Sequence, residues 1–222
     1  VTSALGEVLG YAVGIAVSPI PIAAVILILF STRARSNSVA FMVAWVLGIA
    51  GVTIVVLLTP GLDASDSEPS TTTGWIKAVL GASLVLLAVR QWKSRPGPGD
   101  EPVTPSWMDK IDTIKFGTAF GLGFLLSALN PKNLLLAAAA GATIGSIKLT
   151  TTETVGTVIV FTLVAATTVV IPVVGYLIAG DRIDGPLDTT KTWLIDNNST
   201  VMAILLLVFG VVLLGDAIKI LA

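Results

Sequence analysis

Six stretches of the chain, at 5–30, 39–58, 75–91, 116–147, 154–179 and 201–220, are apolar on every face and not along a single stripe. At 1.5 Å per residue each suits a crossing of about 30 Å of hydrocarbon once tilt is allowed. The third is the shortest, and the fourth is too long for one straight crossing. Two of the six are interrupted, the first at Ser18-Pro19-Ile20-Pro21 and the fourth at Asn130-Pro131-Lys132-Asn133. Proline lacks the amide proton that a helix interior needs, so each motif predicts a break. The pattern therefore predicts an all-α integral membrane protein of six transmembrane helices, with helices 1 and 4 broken at proline motifs.

Basic residues orient these spans. Arg33, Arg35, Arg90, Lys93, Arg95, Lys110, Lys115, Arg182 and Lys191 fall on one side, against Lys77, Lys148 and Lys219 on the other. The richer side is expected to be cytoplasmic, which puts both termini outside an inner or plasma membrane. The segment 60–74, with Asp63, Asp66 and Glu68, suits the outer face. The first apolar stretch has no basic leader and is too long for a signal-peptide core, so it is expected to stay as a span.

Three spans per half make the second half enter from the opposite side to the first. The residues fit such a duplication. Gly81-Ala82-Ser83-Leu84 through Ala88-Val89-Arg90 matches Gly210-Val211-Val212-Leu213 through Ala217-Ile218-Lys219 at the same spacing, and Ser18-Pro19 answers Asn130-Pro131. Paired interrupted helices in two inverted repeats point to a transporter's binding site. The expected organisation is a first three-helix repeat at 1–91, a cytoplasmic linker at 92–115 and a second repeat at 116–222. Within the linker, Ser94 to Pro102 is too rich in proline and glycine for regular structure. Thr104 and Pro105 then open a short helix whose Trp107, Ile111 and Ile114 share a face, as an interfacial amphipathic helix does.

Composition narrows the chemistry. The chain of 222 residues is 54% hydrophobic and 12% charged, its net charge is −1, and its mean hydropathy is +0.93. It has no cysteine and no histidine. Thiol chemistry, histidine relays and soft metal sites are thereby excluded, no cofactor is expected, and a near-neutral chain offers no nucleic-acid surface. An enzyme is not expected either, because no carboxylate falls at mid-membrane depth to act as base or nucleophile. Glu7, Glu153 and Asp216 all lie near the outer boundary.

Lys132 is then the residue to account for, since a charge at bilayer depth costs about 2.5 kcal/mol or more unless it lines a protein-walled or wet cavity. With no carboxylate in reach, three roles stay open to its amine. It can be neutral and carry protons, it can meet an anionic substrate beside the following half-helix, or it can cap carbonyls freed by the break. The candidate substrate-binding and translocation residues are Ser18, Pro19, Pro21, Asn130, Pro131, Lys132 and Asn133. Smaller candidates are Ser127, Thr53, Thr162, Thr167 and Thr168, whereas Gly10, Gly14, Gly121 and Gly123 read as packing positions.

Pro105-Ser106-Trp107-Met108 through Lys110-Ile111-Asp112, then Phe120-Gly121-Leu122-Gly123 and Ala128-Leu129-Asn130-Pro131-Lys132-Asn133-Leu134, resemble the actinobacterial GAP family of glycopeptidolipid- and sulfolipid-addressing proteins. Through its paired proline elements the chain also resembles, more distantly, the LysE superfamily of exporters. The resemblance implies a six-helix inner-membrane protein that moves cell-envelope glycolipids or lipid precursors outward, with proton coupling if Lys132 changes charge. It equally admits an exporter of amino acids or other small solutes, which needs a closed aqueous cavity and no lateral opening. A third reading is a non-transporting scaffold of an envelope-lipid export machinery. The expected partners are a lipid or small-molecule substrate, membrane lipids and that machinery, and so small a bundle is compatible with a homodimer.

Overall fold

The structure, a computed structural model, describes residues 2–59, 71–95 and 114–222. Among them run eight α-helices: α1 (Thr2–Ala16), α2 (Pro19–Leu29), α3 (Ala34–Leu57), α4 (Thr71–Lys93), α5 (Phe116–Phe124), α6 (Pro131–Gly145), α7 (Thr151–Ala179) and α8 (Asp184–Leu221). A wide π turn, Leu125–Leu129, leads from α5 to Asn130, and a 3-10 turn, Gly180–Ile183, joins α7 to α8. The expected interfacial helix after Thr104 and most of the acidic 60–74 segment lie outside the described residues.

Both proline motifs break their helices. α1 and α2 meet at 55°, and the α5 segment meets α6 at 60°. Pro19 and Pro131 each occupy the first turn of the helix that follows, where a missing amide proton costs nothing. Pro172, by contrast, lies inside an unbroken α7. Counting α3, α4, α7 and α8 alone gives 4 spans, and counting each bent pair as one gives 6. The protein is a multi-pass membrane protein. Its surface agrees: Val55 is 67% exposed, Leu86 71% and Ile171 66%, an apolar exterior that only lipid accommodates.

One boundary departs from expectation. α8 begins at Asp184 and not near residue 201, so its 38 residues extend about 57 Å, well beyond the hydrocarbon thickness. Its first turns hold together by local bonds, including Lys191 Nζ to Asp188 Oδ1 at 2.6 Å and hydroxyl bonds of Thr189, Thr190 and Thr192 to preceding carbonyls. Hydropathy marks where a helix meets lipid and is blind to a polar helix that continues beyond it.

α1 packs against α6 and α7, α2 against α7 and α8, α3 against α5, α6 and α7, and α4 mainly along α8. Glycines set several of these approaches. A β-carbon on Gly123 would lie 2.5 Å from the Phe41 carbonyl oxygen, and one on Gly141 2.5 Å from that of Thr53. One on Gly48 would collide with the Ser127 hydroxyl. Three close contacts thus seat the second broken helix on α3. At the α4–α8 crossing, a β-carbon on Gly81 would lie 2.9 Å from the Gly210 oxygen, and one on Gly210 3.0 Å from the Gly81 oxygen. Gly14 likewise admits Phe209 and Leu136, while Gly10 and Gly121 have room to spare.

Replacing Gly48 by Ala should lower the unfolding midpoint in detergent, at an overpacking cost of about 1–3 kcal/mol. Gly51, which has nothing within 4 Å of its would-be β-carbon, should take the same change without loss. Matching midpoints for the two variants would mean that α3 does not depend on this approach.

Candidate functional site

A helix that stops inside a membrane leaves its last carbonyls without donors, and hydrocarbon supplies none. At the end of α1 these are the carbonyls of Gly14, Ile15 and Val17, with that of Ala16 reached from the backbone by the Ser18 amide at 2.9 Å, and each has a side-chain partner. Lys132 Nζ donates to the Gly14 oxygen and, at 2.9 Å, to the Val17 oxygen. Ser18 Oγ donates to the Ile15 oxygen at 2.6 Å, and Thr168 Oγ1, from α7, to the Ala16 oxygen at 2.6 Å. Lys132 Nζ also lies 2.7 Å from Ser18 Oγ.

The Lys132 amine thus lies within hydrogen-bond distance of three oxygens, as many as an ammonium has protons to give. Lys132 is 2% exposed and makes no ion pair among the described residues. Its electrostatic partner is the carbonyl end of α1, where a partly buried cation gains up to about 2 kcal/mol from the helix dipole. Of the three roles left open by the sequence, this arrangement is the cap, although the carbonyls belong to the other break. Lys132 follows the break in the second half and closes the break in the first.

The second break is closed from its own side. Asn130 takes the N-cap position of α6, its side chain accepting from the Lys132 backbone amide at 3.1 Å. Pro131 cannot donate to Ser127, so the π turn Leu125–Leu129 takes up the mismatch. Asn133 Nδ2 donates to the Leu126 oxygen at 2.9 Å, and Ser127 Oγ to the Phe124 oxygen at 3.1 Å. Asn133 Oδ1 also lies 3.2 Å from Ser18 Oγ, which joins the two breaks through one hydroxyl. Ser18, Asn130, Lys132 and Asn133 therefore form a single network, with Ser18 and Asn133 both buried.

Pro19 and Pro21 act differently. They open α2 with two residues that have no amide proton, so this helix end offers few donors and is a poor seat for an anion. Pro131 faces outward. It lines, with Leu129, Leu134 and Leu135, one wall of a groove of about 420 Å³ whose other wall is Ser83, Leu86 and Leu87 of α4. The groove opens laterally beside the break, between α4 and α6.

Among the smaller candidates, Thr53 bonds the Ile49 carbonyl of its own helix and Thr167 that of Val164. Thr162 Oγ1 is buried without a partner among the described residues, as is Trp45 Nε1 of α3. Asp216 is held in ion pairs with Lys77 at 3.6 Å and Lys219 at 3.5 Å. Sequence reasoning passed over the Gly14 and Val17 carbonyls, which carry no side-chain signal, and the α4 wall of the groove. Ser83 and Leu87 read only as parts of a repeat.

Lys132→Met would leave two buried carbonyls without their donor at about 1–3 kcal/mol each. It should lower the detergent unfolding midpoint more than Ser18→Ala, which leaves one carbonyl, that of Ile15, without its side-chain donor and keeps the Lys132 amine on two of its three acceptors. A Lys132→Met protein as stable as the natural sequence would show that the cap contributes nothing.

A family model described as Sap, sulfolipid-1-addressing protein, matches residues 8–219. No curated protein and no solved structure matches the chain.

Proposed function

The chain belongs to the sulfolipid-1-addressing protein family, a membrane protein tied to lipid handling, and we propose that it is a transporter moving cell-envelope lipids or lipid precursors across the inner membrane. The observation that carries this reading is the lateral groove at Pro131. An exporter of free amino acids needs an enclosed aqueous path, whereas a groove of leucines open to lipid at the broken helix suits an acyl chain that stays in the bilayer while its head crosses.

The two-fold inverted arrangement of the halves belongs to the same proposal. Gly81 and Gly210, equivalent positions in the two halves, meet each other across the α4–α8 crossing, as residues on a two-fold axis must. The contact of α1 with α7 is answered by that of α5 with α3, and that of α2 with α8 by that of α6 with α4. Basic residues at the α4 and α8 ends that flank Gln91 and Ser199 favour a cytoplasmic placement of that side, with both termini outside.

In this mechanism Lys132 is a strut between halves. It joins the halves while its three bonds to the α1 end persist, and the halves rock apart when those bonds exchange for bonds to a lipid head or to water. An anionic head is the natural competitor, because it replaces three neutral acceptors with charged ones. A proton-carrier role is compatible with the same contacts, since a neutral amine keeps two donors for the Gly14 and Val17 oxygens and can accept from the Ser18 hydroxyl. Transport that depends on an imposed pH gradient with Lys132 in place and loses that dependence in Lys132→Arg would assign proton coupling to this amine, and transport indifferent to the gradient would remove it.

The test uses cells lacking the protein, complemented with the natural sequence, Lys132→Met or Leu134→Trp, the last placed to fill the groove. Surface-extractable and total lipids are compared. The natural sequence should restore one lipid class to the surface, and both variants should leave most of it inside at equal protein level. Unchanged surface lipids in the deletion would remove the lipid reading and leave export of a small solute.

A further inference from the structure

A second groove, of about 330 Å³, runs between α4 and α8. Ala88, Val89, Ala203, Ile204 and Leu207 line it, with Trp92 and Lys93 at one end. That end lies at the level where Gln91 Nε2 donates to Ser199 Oγ at 3.2 Å, and where the two helices change from apolar to polar sequence. Trp92 is 46% exposed there, the placement that indole favours at a membrane interface. The Arg95 guanidinium sits 3.9 Å over the Trp92 ring, so a second cation is held at the same mouth.

Among the described residues no carboxylate pairs with the charge at this mouth. At the far end of the same helix pair, Lys77 and Lys219 both meet Asp216. Lys93 and Arg95 form no ion pair among the described residues, and Asp196, in the adjoining turns of α8, pairs with neither. An apolar groove that ends on an interfacial tryptophan and two unpaired cations is complementary to a hydrocarbon chain with an anionic head.

We propose that the α4–α8 groove holds one anionic lipid of the surrounding bilayer, its acyl chain along Val89, Ile204 and Leu207 and its head on Lys93 and Arg95. The site is distinct from the Pro131 groove on the other flank of α4, and it stands whether or not the chain transports lipid.

Native mass spectrometry of the full chain in detergent, with phosphatidylglycerol or phosphatidylcholine added at equal concentration, tests it. Phosphatidylglycerol should be retained in preference. Lys93→Gln and Arg95→Gln, both at exposed positions, should each weaken its retention by about fivefold. Ile204→Trp should displace it with no change of charge, and Lys219→Gln, at the opposite end, should have no effect. Equal retention of the two lipids, or a Lys93→Gln/Arg95→Gln double variant that binds like the natural sequence, would overturn the proposal. Since binding and not export is read, a protein that exports no lipid can still pass this test.

Discussion

Backbone left bare in hydrocarbon is the constraint from which the rest of this structure follows. Breaking two helices within the membrane exposes carbonyls that neither lipid nor the broken helix can pair, at a cost of several kcal/mol each. The chain answers with side chains from elsewhere. Lys132 reaches from α6, Thr168 from α7 and Ser18 from the break itself, and together they saturate the end of α1. Burying an ammonium is itself expensive, but here each of its protons has an acceptor and it faces the negative end of a helix. Two costs that would each be prohibitive alone offset one another.

The same logic explains the unequal surroundings of the two breaks. On the α3 side the second broken helix is fixed by Gly48, Gly123 and Gly141, where backbones come close enough that a methyl group would not fit. On the α4 side there is no such approach, and the Pro131 groove is what remains. Small residues thus decide which face of the break is closed and which is open to lipid.

Much of this was legible in the sequence. The apolar stretches, two proline motifs and one lysine among them gave the multi-pass helical character, the breaks and the residues of the network, because each rests on a local rule about hydropathy or missing donors. Other features were hidden because they depend on three-dimensional proximity. Nothing local to Asn-Pro-Lys-Asn says that its lysine turns toward Gly14 and Val17, since backbone carbonyls look alike in any sequence. The groove on α4 was hidden for the same reason, its leucines being indistinguishable from others that face lipid. The π turn had a trace in Pro131, and the early start of α8 had none in hydropathy, which stops where the lipid stops.

The Lys132 bond to Gly14 joins residues 118 positions apart, and this has a bearing on biogenesis. At roughly 5–20 residues per second of synthesis, the end of α1 waits on the order of ten seconds before its donor is made. During that interval the end of α1 carries carbonyls that only water, the insertion machinery or another nascent segment can occupy. The end of α1 is therefore completed only when the second proline motif has been made.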